Sequence, residues 1–243
     1  DEHPAVALGS AVASATAAGP VSTATMSNRE PGTQDAPSVP SLPACRKVVV
    51  AQGDAPLIDD LEDGNSRLQL ADGRSGFWFV HNDGSGTQTP SADRVLFPSL
   101  ISPPRGRSQW ALHTSGSGFK KWGALFGNFL AERACYDSSA YDGLEFWAKG
   151  FGTVHLVVWT VDIVEPYEGG FCQKDCYNGY KKRIELGPRW SSYSVPWGDL
   201  AQLRAGPKLE FDPHRVVFLG FVVGPDVPRF DVWIDDIRYV KRK

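Results

Sequence analysis

Two runs of carboxylates interrupt segments that otherwise have the composition of β-strands. The stretch Phe230–Val240 is rich in β-branched and aromatic residues, without Gly or Pro, and carries Asp235 and Asp236 at its centre. Near the start of the strand-rich part, Leu57-Ile58-Asp59-Asp60-Leu61-Glu62-Asp63-Gly64-Asn65 repeats the anomaly. Ionised carboxylates are costly to desolvate unless paired or bound to a cation. If the two segments pair as neighbouring strands, their acids gather at one junction, and a hard cation with oxygen ligands is the cheapest way to neutralise them. The ligands expected from this placement are Asp60, Glu62, Asp235 and Asp236. The competing reading is that these acids cap turns or face solvent at strand ends.

The four cysteines are Cys45, Cys135, Cys172 and Cys176. Cys172 and Cys176 stand in a loop opened by Gly169-Gly170, and the two further ligands that zinc requires are missing at any suitable spacing. Pairing Cys172 with Cys176 leaves Cys45 and Cys135 to form a second disulfide. An even count with plausible partners points to an oxidising compartment, hence to a secreted or cell-surface location.

The elements that must position these residues are strands. Gly76–His81, Trp110–Thr114, Trp122–Leu130, Leu144–Lys149, Thr153–Asp162, Lys182–Leu186, Ser192–Val195 and Val216–Val223 all have strand composition, and they are separated by Gly-, Pro- and Asp-rich turns. In Leu144–Lys149 the residues Leu144, Phe146 and Ala148 alternate with Glu145, Trp147 and Lys149. Val216–Val223 is apolar on both faces, as a strand covered on both sides should be. One helical turn or a short helix is expected at residues 198–204. Many short strands with regular turn signals predict an all-β chain, an antiparallel β-sandwich of the jelly-roll kind.

Residues 1–44 are excluded from that sandwich. They are mostly Ala, Ser, Thr, Pro and Gly, without an aromatic residue, and are expected to be a disordered tether to a domain at 45–243. The tail lacks the basic start and apolar core of a signal peptide, so a leader is expected to have been removed or to lie outside this stretch. No apolar run approaches the roughly 20 residues of a membrane helix. The net charge of −3 resides in the tail, where Asp1, Glu2, Glu30 and Asp35 face Arg29 alone. The remainder is neutral, which argues against nucleic acid and anionic membrane as partners.

The motif order resembles the carbohydrate-binding jelly rolls of the galactose-binding-like class, especially the family 11 modules. The resemblance rests on Ile58-Asp59-Asp60-Leu61-Glu62-Asp63-Gly64, Gly73-Arg74-Ser75-Gly76-Phe77-Trp78 and Ala111–Gly118. It continues in Tyr141–Gly150, Gly169-Gly170-Phe171-Cys172 and Trp233-Ile234-Asp235-Asp236-Ile237. It implies a monomeric, glycan-binding module with a structural calcium near the paired chain ends. One departure is that Tyr177-Asn178-Gly179-Tyr180-Lys181 lacks the His such modules carry after the second loop cysteine, which implies a different ligand or none.

A sugar platform needs an aromatic ring exposed to the apolar face of a pyranose. His155 and Trp159 share one face of their strand, and Tyr167, Tyr177 and Tyr180 follow in the adjoining loop, so these five are the expected platform. His81 and Asp83 are expected polar contacts, or else an ordinary turn leading into Gly84-Ser85-Gly86. Trp122, Trp147 and Trp233 occupy motif positions that read as core. Asp162, Glu165, Glu168 and Glu185 could furnish a glycosidase carboxylate pair, but Gly-x-Ser-x-Gly, His-Glu-x-x-His and phosphate-loop motifs are all missing. The sequence therefore favours a non-catalytic polysaccharide binder. A glycan-active enzyme, or a structural surface protein without a glycan ligand, is the alternative.

Overall fold

Alternation shapes one half of this chain's architecture, because residues 141–151 and 229–241 separate buried from outward side chains with period two. The computed structural model describes residues 45–203 and 208–241, so the tail assigned to residues 1–44 lies outside the described residues. The strands are β1 (Val48–Val50), β2 (Leu57–Asp59), β3 (Phe79–Asn82), β4 (Thr87–Thr89), β5 (Arg94–Val95), β6 (Ser99–Arg105), β7 (Ser108–Ser117) and β8 (Ala124–Phe129). They continue as β9 (Cys135–Asp137), β10 (Tyr141–Phe151), β11 (Thr153–Thr160), β12 (Tyr180–Glu185), β13 (Ser191–Pro196), β14 (Ala201–Gln202), β15 (Val216–Val223) and β16 (Arg229–Lys241).

Two sheets form an all-β sandwich of the jelly-roll class. The first runs β14-β12-β11-β15-β8-β3-β5, with β9 beside β15 and β1 beside β9. The second runs β13-β10-β16-β7-β4, with β2 beside β16 and β6 beside β7. The named strands pair antiparallel except β1 with β9. Chain ends meet as expected, since Ile237 of β16 lies opposite Asp59 of β2.

The core between the sheets takes Leu144, Phe146 and Ala148 from β10 and Phe230, Val232 and Ile234 from β16. Facing them are Val154, Leu156 and Val158 of β11 and Leu219 and Phe221 of β15. The other face of the first sheet is also apolar. Val157 and Trp159 of β11, Phe218 and Val222 of β15 and Leu125 of β8 form a second cluster with Val161, Ile163, Val164, Cys176 and Tyr177 of the following loop. This second layer explains why every residue of β15 is buried.

Trp159 belongs to that layer, so it is not the exposed platform expected from its strand position. It is 8% exposed, with its ring 4.1 Å from that of Phe218 and 5.3 Å from that of Tyr177. Gly179 lets the loop lie against it, because a Cβ there would come within 2.7 Å of the indole. Both expected disulfides are present: Cys172–Cys176 closes the loop and Cys45–Cys135 fixes the start of the described chain to β9. Of the two readings at 198–204, the single helical turn is seen, as a 3-10 turn at Trp197–Asp199, and β14 follows it in place of a longer helix. Gln202 is drawn into the sheet by pairing opposite Tyr180, and its side-chain amide donates to the Asn178 carbonyl at 2.8 Å.

Substituting Trp159→Ala should therefore cost stability rather than touch an open surface. The expected loss is about 3–5 kcal/mol in denaturant unfolding, as for other buried aromatic truncations. A variant as stable as the parent would show that this layer contributes nothing.

Candidate functional site

On the outer face of the second sheet β10, β16 and β7 place polar and aromatic side chains in rows, and Trp190 of the β12–β13 loop reaches over Lys149 and Arg105. In the first row Lys149 lies opposite Trp233, and Trp233 opposite His113. The rings of His113 and Trp233 stack at 3.9 Å, while the Lys149 ammonium lies 5.0 Å from the rings of both Trp233 and Trp190. The next row is Phe151, Asp231, Ser115 and Thr89, followed by Arg229, Ser117 and Thr87. Alternation on these strands sends Phe230, Val232 and Gly150 inward, so each member of the rows faces out.

The last two rows enclose a depression of about 260 Å³. Its floor is hydroxyl-rich, from Thr87, Thr89, Ser115 and Ser117, with Asp231 and Arg229 across it and Phe151 at one side. Phe151 is 43% exposed, and the Arg229 guanidinium lies 5.2 Å from its ring. Asp231 accepts from His113 Nε2 at 3.2 Å when that nitrogen carries the proton. A concave, hydroxyl-lined surface with one acceptor, one fixed cation and one exposed ring suits a polyhydroxylated ligand. None of these residues was singled out in the sequence, although the alternation in β10 already put Lys149 with Trp147 on the polar side.

The chain-end acids are arranged differently from the expected cation site. Asp235 is fully buried, and its Oδ2 accepts from Arg105 Nε at 3.1 Å, Arg105 Nη2 at 2.7 Å and Ser108 Oγ at 2.6 Å. Arg105 Nη2 also bonds Asp236 Oδ2. Glu62 Oε1 accepts from the backbone N–H groups of Gln109 and Trp110 at 2.9 and 3.0 Å, and Asp60 Oδ1 from Gln69 Nε2 at 3.3 Å. Among the described residues no three His, Cys, Asp or Glu side chains converge as metal ligands. Arg105 neutralises Asp235 and Asp236 while N–H donors hold Glu62 Oε1 and Asp60 Oδ1 elsewhere, so as arranged the four acids do not gather into the oxygen cluster that calcium takes. Desolvation works against the charge of Arg105, but its hydrogen bonds to the carboxylates of Asp235 and Asp236 outweigh it and push its pKa up. Burial pushes the Asp235 carboxyl up, with Ser108 and Arg105 opposing.

The expected ligand residues fall on the other sheet and its loop. His81 and His155 lie in one row of the first sheet's outer face, separated by Leu125 and Val222. His81 Nδ1 is 2.5 Å from Asp93, and its ring stacks on Trp122 at 5.6 Å. Desolvation and then the charge of Lys181 lower the pKa of His155. Asp83 accepts from Ser85 Oγ and from the backbone N–H groups of Lys121 and Gly123, so it fastens a turn. Tyr177 is buried against Trp159 and donates to Glu168 at 2.9 Å, with Tyr167, the exposed member, 3.1 Å from its hydroxyl. Tyr180 lies in the inter-sheet core, donates to the Glu210 carbonyl and is pushed up to about 12 by burial. Of the acids considered for catalysis, Asp162 is engaged by Arg215 and Glu185 by Thr153 and Arg183.

No known family's sequence profile matches the chain. Its fold is that of the family 11 carbohydrate-binding module of a cellulosomal cellulase from Clostridium thermocellum. The TM-score to that module is 0.50 at 13% identity, over 76% of this chain and 94% of that one. A family 30 carbohydrate-binding module from a cellulosomal cellulase of the same organism aligns at TM-score 0.45 and 16% identity, over 68% and 92% of the two chains. Among curated sequences, Endoglucanase 3 of Fibrobacter succinogenes is 20% identical over 187 residues, 74% of this chain. The chain spans 26% of that relative's length.

Two outcomes follow from the buried acids. Arg105→Met should lower the thermal midpoint strongly, since breaking a buried pair costs about 3–5 kcal/mol, while excess chelator should leave the parent's midpoint unchanged. A midpoint that falls on chelation and recovers with calcium would overturn this assignment. Asp59, which accepts from Trp78 Nε1 at 2.7 Å, has its pKa raised from 3.8 to about 7 by burial, against the hydrogen bonds of Trp78 and Leu61. The folded state then binds more protons than the unfolded state between those values, so its contribution to stability falls as pH rises from 3.8 to about 7. Asp59→Asn should remove that slope from a series of unfolding curves, whatever it does to their level.

Proposed function

We propose that this protein binds polysaccharide without catalysis, through the outer face of its second sheet, as a secreted or surface-attached module. The observation that carries the reading is the hydroxyl-lined depression with Asp231, Arg229 and the exposed Phe151 ring. Serine and threonine hydroxyls both donate and accept, which matches the hydroxyl groups of a sugar ring. Asp231 supplies an acceptor and Arg229 donors, and Phe151 offers an apolar surface to the sugar's C–H groups. The shared fold of the family 11 module supports the reading. A curated relative named as an endoglucanase is consistent with a polysaccharide ligand. Location outside the cytosol is supported by the two disulfides. Residues 1–44 would then serve as the tether that carries the module.

Retention in polysaccharide-containing gels tests the site. Phe151→Ala should weaken binding several-fold, in keeping with about 0.5–1.5 kcal/mol per aromatic contact beyond area burial. Asp231→Ala should weaken it roughly tenfold, through loss of a charged acceptor worth about 1.5–3 kcal/mol. Tyr167→Ala, exposed on the loop of the first sheet, should leave retention unchanged. Loss of binding in Tyr167→Ala with full binding in Phe151→Ala would move the site to that loop.

A further inference from the structure

The charges on the outer face of the second sheet are paired unevenly. Glu145 lies 3.8 Å from Arg238, Asp235 and Asp236 share Arg105, and Asp231 lies 3.2 Å from the imidazole of His113, which is charged only when protonated. Lys149 and Arg229 remain. Among the described residues neither has a carboxylate within ion-pair distance, and both are held over aromatic rings instead. Cation–π contact fixes an ammonium or guanidinium in place and leaves its charge unneutralised. An unpaired lysine on a long flexible stem would normally spread into solvent. Here Trp190 and Trp233 flank its ammonium at 5.0 Å each, above the row that borders the depression.

Resting on the polysaccharide-binding reading, we infer that the ligand of this face is an anionic glycan, whose carboxylate or sulfate groups pair with Lys149 and Arg229. Lys149 lies opposite Trp233, and Arg229 is four residues before Trp233 on β16. At about 3.3 Å per strand residue, the two backbone positions are about 13 Å apart along the strands. Two cations spaced along the strands match a ligand that carries more than one acid group, so an oligomer of charged units is the matching ligand. Asp231 lies between them with His113 as its donor, and there it accepts from a sugar hydroxyl.

Calorimetric titration of the full chain with a uronate oligomer, a sulfated oligosaccharide and a neutral β-glucan oligomer separates the possibilities. One of the two acidic oligomers should bind at least tenfold more tightly than the neutral one, and which of them does so distinguishes carboxylate from sulfate. Raising the salt should weaken that binding, because exposed charges are screened. Lys149→Met keeps a long side chain between the two indoles, so its thermal midpoint should hold while acidic binding falls roughly tenfold, the equivalent of one charged contact. Arg229→Gln should fall by a similar factor. Neutral oligomer bound as tightly as the acidic ones, or acidic binding unaffected in both variants, overturns the inference and leaves the polysaccharide reading standing. Absence of binding to all three overturns both.

Discussion

A fully buried carboxylate at the centre of the longest strand is the constraint on which the second sheet depends. Asp235 receives no solvent, and an unpaired charge in that position would cost several kcal/mol. Arg105 answers it from the end of β6, 130 residues away in sequence, and Ser108 adds a donor from the first residue of β7. The β6–β7 hairpin is thereby fixed to β16. The same guanidinium lies 4.6 Å from the Trp147 ring on β10, so three strands of one sheet meet at a single side chain. Asp236 supplies the extra residue of a bulge, at φ 49°, between the pairs Glu145–Arg238 and Trp147–Asp235. Beyond the bulge β16 keeps strict alternation, and that sends Trp233, Asp231 and Arg229 outward.

The two sheets treat their outer faces in opposite ways. On the first sheet, the loop after β11 lays Val161, Ile163, Val164 and Tyr177 over Trp159 and Phe218, and a local disulfide closes the loop. Apolar surface is removed from water there, and little is left for a partner to bury. On the second sheet the outward residues are charged, hydroxylated or aromatic with ring faces stacked on His113 or a cation. This division follows from composition: β11 and β15 are apolar on both faces, whereas β10 and β16 alternate.

Much of the fold was legible in the sequence because period two is a local property. The strands from β7 onward other than β9 and β14, the meeting of chain ends and the disulfides could be read from spacing and composition. Alternation assigns residues to two sets, however, and does not say which set is covered. Trp159 and Trp147 therefore look alike in sequence, yet one is sealed by a loop and the other stands on an open face. The chain-end acids were misjudged for a related reason. Their cation comes from Ser102-Pro103-Pro104-Arg105, a segment whose place beside β16 is set by pairing with β7 rather than by any local signal. The helical turn expected at 198–204 stays confined to Trp197–Asp199 because so short a segment has little helical preference of its own, and pairing with β12 makes Ala201–Gln202 a strand.

The stacking on the open face bears directly on how it recognises anything. Strand β16 lies between β7 and β10, so His113 and Lys149 approach Trp233 from opposite sides. Both faces of that indole are consequently occupied, and Trp147 has Arg105 over its ring. These tryptophans are spacers more than platforms: they hold an ammonium and an imidazole upright and leave only ring edges toward the solvent. A ligand laid along this face meets cations, hydroxyls and one carboxylate before it meets an aromatic surface. Among the rings on this face, Phe151 presents the exposed one, at the border of the hydroxyl-lined depression. Recognition here therefore rests on polar and charged contacts, with stacking confined to one end.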